Sequence, residues 1–279
     1  MKRLAILGSP ISGALSPVLH RAAYTALGLD WRYEAIECSP DQLPSHFAKF
    51  ATNGQWAGLS LTMPLKRAAV PLLDDVSHTV TVTGTANTVV VREGRLVGDN
   101  TDVAGMERAL REAGVEAPED AAVLGAGATA ASALAVLSNF GLQSALVVAR
   151  APSRIRELRA AAERLGMGLQ VVGWDRAVEA FQRKLVVSAL PPYAADTLVT
   201  AAAGGRCGTL MDVVYRPWPT VLGSALHGAR VVVIGGLPML VHQAARQVEL
   251  QTGCETPPHA QMLEAAIHAL QGRRSESTC

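Results

Sequence analysis

The chain lacks a charge bias, a long apolar run, a paired-cysteine motif and any low-complexity stretch, and these absences close off several classes of function. Its 25 Lys and Arg against 24 Asp and Glu leave a formal net charge of +1. Neither nucleic acid nor an anionic membrane is therefore expected as a partner. No apolar run reaches the length needed to span a bilayer. The apolar stretch after Lys2 and Arg3 is too short for a signal peptide, and 3–7 is expected to form a first strand. Cys38, Cys207, Cys254 and Cys279 stand far apart without CxxC spacing, which supports neither a zinc site nor a disulfide framework. They read as thiols of a reducing cytoplasm. His20, His227, His242 and His259 show no metal-ligand spacing, and no metal is expected.

What is present is a 279-residue chain, 49% hydrophobic and 18% charged, long enough for two domains with substantial cores. Short strand-like runs alternate with helical stretches. Strands are expected at 3–7, 31–38 and 58–61, with helices at 17–27 and 41–50 between them. Runs at 86–91 and 95–97 flank Glu93-Gly94, a hairpin signal. An amphipathic helix is expected from 102 to 113, stopping at Gly114. Beyond it a second series places strands at 121–124, 144–149, 169–172, 185–189, 209–213 and 230–234, with helices at 129–140 and 153–165. Two closing helices are expected at 238–252 and 259–271, and 273–279 as a flexible tail. This alternation predicts an α/β protein with parallel sheets covered on both faces and a domain break near residue 104.

Ala122-Val123-Leu124-Gly125-Ala126-Gly127-Ala128-Thr129-Ala130 has the strand–glycine–helix order of a dinucleotide loop. Gly125 permits the tight turn, Gly127 lets a pyrophosphate approach the backbone, and the helix start at Ala128 offers N–H groups to phosphate. The glycine spacing alone also fits a structural turn; its strand and helix flanks favour the nucleotide. At the end of the next strand an NAD site would carry an acid for the ribose hydroxyls. Here stand Arg150 and, after Ala151-Pro152-Ser153, Arg154, which suit a 2′-phosphate and hence NADP. The plainer alternative is that both arginines solvate a loop.

Two polar islands precede this loop: Leu61-Thr62-Met63-Pro64-Leu65-Lys66 and Gly98-Asp99-Asn100-Thr101-Asp102. Each is expected at a helix start. A lysine there opposes the helix dipole, so a role other than helix stability is expected, with Asp102 as its candidate partner. Ketone reduction needs a positioned proton donor for the developing alkoxide, and an ammonium group can both stabilise and protonate it. The plainer readings are a solvated helix lysine and an N-cap aspartate.

The ordered motifs resemble the shikimate dehydrogenase family from about residue 3 to 270. They are Gly8-Ser9-Pro10-Ile11 leading to Leu15-Ser16-Pro17, then Thr62 to Lys66, Ala86-Asn87-Thr88, and Asp99 to Asp102. They continue with the Gly125 loop, Asp212-Val213-Val214-Tyr215, and Gly236-Leu237-Pro238-Met239 running to Gln243. The resemblance implies NADPH-dependent reduction of 3-dehydroshikimate to shikimate. It implies Lys66 and Asp102 as catalytic pair, and Ser16, Thr62, Asn87 and Gln243 as substrate contacts. Tyr215 would close the substrate pocket, and Gly236 and Met239 would lie by the cofactor. The implied architecture is a substrate domain with a mainly parallel sheet (1–104, completed by 236–272) and an inserted Rossmann-like NADP-binding domain (105–235). A cytoplasmic monomer or homodimer is expected. The plainer readings are core filler for Tyr215 and Met239, a solvent-facing helix residue for Gln243, and a turn hydrogen bond for Asn87.

Two departures stand out. Ala14 and Gly13 occupy positions where the family usually has a serine and a histidine, and Ser60 stands where many members have Asn. Losing one hydroxyl donor to a charged acceptor costs about 1.5–3 kcal/mol, or roughly ten- to a hundredfold in affinity. They keep open a paralogue acting on quinate or an aminoshikimate-like compound, and a non-catalytic NADP-binding protein; retention of Lys66 and Asp102 disfavours the latter.

Overall fold

The computed structural model describes residues 1–150 and 155–276, without the side chains of 273–276. The chain forms two compact units. One is built from Met1–Thr81, Thr85–Gly105 and Val241–Cys279, the other from Val82–Gly84 and Met106–Leu240.

The first unit holds a six-stranded sheet of β1 (Lys2–Gly8), β2 (Trp31–Glu37), β3 (Trp56–Leu61), β4 (Asp75–Val76), β5 (Thr88–Arg92) and β6 (Arg95–Asp99), in the order β2-β1-β3-β5-β6-β4. Its helical segments are α1 (Ser16–Ala26), α2 (Leu43–Thr52), α3 (Leu65–Ala68) and most of α4 (His78–Thr83). All six residues of β3 are buried. At Gly58 a Cβ would come within 2.6 Å of the Val89 carbonyl oxygen, so the β3–β5 pairing admits only glycine there. Leu43, Phe47 and Phe50 of α2 close one core with Leu59, Leu61 and Val89.

The sheet is mainly parallel, as expected. β1 pairs with β2 and β3 in parallel and β4 with β6, while β5 runs antiparallel to both its neighbours, β3 and β6. The cause is the Glu93-Gly94 turn. With φ of 51° and 78° it has the positive values of a two-residue hairpin turn, and a hairpin can join only antiparallel strands.

In the second unit six strands are all parallel: β7 (Ala121–Leu124), β8 (Ser144–Val148), β9 (Gly168–Val172), β10 (Leu185–Ser188), β11 (Thr209–Asp212) and β12 (Val232–Ile234). Their order, β12-β11-β10-β7-β8-β9, is that of the doubly wound dinucleotide fold, with the strand order reversing between β7 and β10. β7 and β10 are wholly buried, as strands covered on both faces must be.

α5 (Thr101–Glu112) begins in the first unit and ends in the second. α6 (Ala128–Asn139), α7 (Ile155–Arg164), α8 (Val199–Ala203) and α9 (Val221–Gly228) belong to the second. α10 (Gly236–Thr252) returns the chain to the first, where α11 (His259–Glu276) packs against α1. α11 continues past residue 272, where a tail was expected, and 277–279 lie outside the described residues. Among the described residues no helix is long and apolar enough to cross a membrane.

Candidate active site

The end of β3 turns through Thr62 into α3, and the end of β6 turns through Asn100 into α5; both polar islands are thus helix starts. Asn100, not Asp102, caps α5: its side-chain oxygen accepts the Asp102 N–H at 3.2 Å. Asp102 is free of the capping task that was its plainer reading. Lys66 Nζ donates to Asp102 Oδ2 at 2.5 Å, with the side chains only 16% and 7% exposed. The ion pair sits in the first turn of α5, where the helix dipole favours a carboxylate.

Asn87 joins these groups to the rest of the cluster. Its Nδ2 donates to Asp102 Oδ1 at 2.8 Å and to Gln243 Oε1 at 3.2 Å. Its Oδ1 accepts from the Thr101 N–H at 2.8 Å and from the Thr88 hydroxyl at 2.7 Å. Asn87 is therefore locked by partners on three elements. The main chain holds the same segments together, with Ala86 N–H donating to the Lys66 carbonyl at 2.8 Å and Leu61 N–H to that of Asn87 at 2.7 Å. Gln243 is buried, against its reading as a solvent-facing residue.

Beneath Asn87 lies a second layer that sequence reasoning missed. Gln247 Nε2 donates to the Asn87 carbonyl at 3.2 Å and to the Thr88 hydroxyl at 3.1 Å. Its Oε1 accepts from Ser60 Oγ at 2.9 Å and from His20 Nε2 at 3.1 Å. Since Gln247 Oε1 can only accept, Nε2 of His20 carries the proton and Nδ1 accepts from Tyr24 OH at 3.2 Å. Tyr33 OH donates to Ser60 Oγ at 2.6 Å, and Ser16 is also hydrogen-bonded to Tyr33. A continuous polar path thus runs from Ser16 through Tyr33, Ser60, Gln247 and Asn87 to Asp102 and Lys66. A sequence signal for it exists. Gln243, Gln247 and Gln251 recur every fourth residue and are all buried, a polar stripe facing a sheet where apolar residues would be expected.

Thr62 follows β3 directly, its N–H bonded to the Leu7 carbonyl at 2.9 Å. A Cβ at Gly8 would lie 2.3 Å from Thr62 Cγ2, so glycine is what lets the two strand ends close up. Ala14, just before α1, has no hydroxyl to offer.

In the second unit, β7 runs into Gly125 with φ +105°, a conformation that side chains disfavour. Gly127 is the N-cap residue before α6; no side chain caps that end, and no acid lies in the first turn of the helix. A Cβ at Gly127 would meet nothing within 4 Å, so this open, donor-rich helix end fits a pyrophosphate. Ala126 is buried, and Ala128 is the first residue of α6. Arg150 follows β8, exposed, with its guanidinium 5.4 Å from the Trp174 ring centroid. Arg154 lies outside the described residues.

Gly236 packs where a Cβ would be 2.0 Å from the Val213 carbonyl oxygen, so the Gly236 and Asp212–Tyr215 motifs meet. Asp212 is buried, which pushes its carboxyl up, and it accepts from Thr220 Oγ1 at 2.8 Å. Tyr215 is half-buried and Met239 buried, both in this unit. Among the described residues no group of three or more His, Cys, Asp or Glu could hold a metal ion.

Residues 6–89 match the shikimate dehydrogenase substrate binding domain, and 236–267 the shikimate 5'-dehydrogenase C-terminal domain. Shikimate dehydrogenase (NADP(+)) of Thermus thermophilus is 37% identical over 275 residues, covering 97% of this chain and 99% of the relative. The chain belongs to the shikimate dehydrogenase family. It is an oxidoreductase of that type. The crystal structure of shikimate dehydrogenase from Mycobacterium tuberculosis superposes with a TM-score of 0.86 at 37% identity, covering 96% of this chain and all of that one. The Thermus thermophilus enzyme in complex with NADP(H) and shikimate gives 0.83 at 34% identity, with 96% and 100% covered. Ser60 lies on the polar path that leads to Asn87. Its hydroxyl is engaged by both Tyr33 and Gln247.

Proposed function

We propose that this chain catalyses the NADPH-dependent reduction of 3-dehydroshikimate to shikimate, with Lys66 as acid/base and Asp102 as its orienting partner. The observation that carries the reading is the Lys66–Asp102 contact of 2.5 Å, braced by Asn87 at 2.8 Å. NADPH, when bound, supplies a hydride to the carbonyl carbon. Gly125, Ala126, Gly127 and Ala128 would hold its pyrophosphate, Arg150 and Arg154 its 2′-phosphate, and Gly236 and Met239 would lie beside it.

As the carbonyl π bond breaks toward oxygen, Lys66 donates a proton from Nζ to that oxygen, giving the hydroxyl. Asp102 fixes the ammonium group in one direction and balances its charge. Lys66 is 16% exposed, enough to regain its proton from water. Ser16, Thr62, Asn87 and Gln243 bind the ring substituents. Uncharged amides and hydroxyls orient hydroxyl groups without competing for the proton.

The test is steady-state turnover of shikimate, quinate and aminoshikimate with NADP+ and NAD+, for the wild type and for Lys66→Ala. The expected outcome is turnover with shikimate and NADP+, lost by about 10²-fold or more in Lys66→Ala while NADP+ affinity stays within twofold, about 0.4 kcal/mol. Preferential turnover of quinate or aminoshikimate would reassign the substrate. A Lys66→Ala variant as active as the wild type would remove the proposed mechanism.

A further inference from the structure

The parallel pairing of β8 with β9 ends at Val148 and Val172, and Ala149 N–H still bonds to the Val172 carbonyl at 3.1 Å. Two residues on from each partner, the same register places Arg150 beside Trp174. The guanidinium carbon lies 5.4 Å from the indole centroid, within cation–π range. The indole is itself fixed, because Nε1 donates to Thr197 Oγ1 at 3.1 Å and the ring packs on the core of the second unit. Both residues stand at the carboxyl ends of their strands, on the β7–β8–β9 side where a doubly wound sheet receives an adenosine.

We propose that Trp174 is a positioning residue for cofactor choice: its ring holds the Arg150 guanidinium in one orientation and so favours a ribose 2′-phosphate over a free 2′-hydroxyl. The inference rests on the NADP reading above. An exposed arginine otherwise spreads over many rotamers and loses that freedom when it binds a phosphate. Contact with an aromatic face restricts it beforehand while leaving the N–H groups at the rim of the guanidinium for the anion. NAD has no 2′-phosphate to gain from this, so its affinity does not depend on Trp174.

The test is calorimetric titration of the full chain with NADP+ and with NAD+, for the wild type, Trp174→Ala, Trp174→Phe, Thr197→Val, Arg150→Ala and the Trp174→Ala/Arg150→Ala double variant. Trp174→Ala is expected to weaken NADP+ binding roughly three- to thirtyfold and NAD+ binding less than about twofold. Trp174→Phe retains most of the preference, and Thr197→Val loses part of it. In the Arg150→Ala background, Trp174→Ala costs no further NADP+ affinity. Equal weakening of both cofactors, or the same loss with and without Arg150, would overturn the proposal and leave Trp174 a packing residue. A wild type that binds NAD+ as tightly as NADP+ would overturn the cofactor reading itself, and the proposal with it.

Discussion

His20 makes the stability of the first unit depend on pH. The ring is fully buried, stacked on Tyr33 at 4.1 Å, and held between Tyr24 and Gln247. Burial lowers its pKa from 6.5 to about 4, and the Gln247 hydrogen bond opposes this only in part. The native state therefore binds fewer protons than the unfolded chain between these values, and stability falls as pH falls. The full difference is worth about 3 kcal/mol below both pKa values, and about 2 kcal/mol is already lost at pH 5. The assay is urea unfolding of the wild type and His20→Gln between pH 7.5 and 5, about one point per half unit, read as the free energy of unfolding. The comparison rests on slope, whatever stability the variant starts from at pH 7.5. Its curve should fall less steeply, by about 2 kcal/mol across the range. Parallel curves would refute the reasoning, since they would mean that His20 titrates alike in folded and unfolded chains.

Two further outcomes separate geometry from binding. Gly125→Ala should destabilise the second unit by about 1–2 kcal/mol, because φ is +105° and Leu190 Cδ2 lies 3.1 Å from the added carbon. Gly127→Val should leave the melting temperature nearly unchanged yet weaken NADP+ binding severely, as measured by titration, because the new side chain stands over an otherwise open helix end. Gln247→Leu takes the shared acceptor from the His20 Nε2–H and the Ser60 hydroxyl in the interior and removes one of the two donors to the Asn87 carbonyl. It should cost about 2–4 kcal/mol in urea unfolding and lower kcat through Asn87.

Much of this arrangement was legible in the sequence, for identifiable reasons. The second unit announces itself because parallel strands buried on both faces must be continuous apolar runs, and Gly125 marks a turn that other residues disfavour. The Glu93-Gly94 signal marked the hairpin, and the mainly parallel first sheet holds β5 as its antiparallel member. α4 and α9 escaped notice: HTVTVT has five consecutive β-branched residues with Val and Thr alternating, and the apolar residues of Val221–Gly228 fit a strand as readily as a helix. The partnership of Lys66 and Asp102 could only be suspected, since residues 36 apart meet only through a long-range sheet register. The glutamine stripe was missed because polar residues on a helix are read as solvent-facing until their spacing is counted.

That stripe also bears on when the enzyme comes into being during synthesis. Gln247 reaches back 160 residues to Asn87 and 227 to His20, and Gln251 reaches 192 to Leu59. A ribosome that has made everything up to α9 has therefore released a sheet whose floor still holds unmet donors and acceptors. The nucleotide-binding unit, contiguous apart from three residues, can form earlier. Catalytic competence then arrives in a single late event, when α10 emerges and docks. A premature stop between Val241 and Arg246 should yield a protein that keeps the whole nucleotide-binding unit but lacks Gln247 and the bonds by which it holds Asn87 and His20.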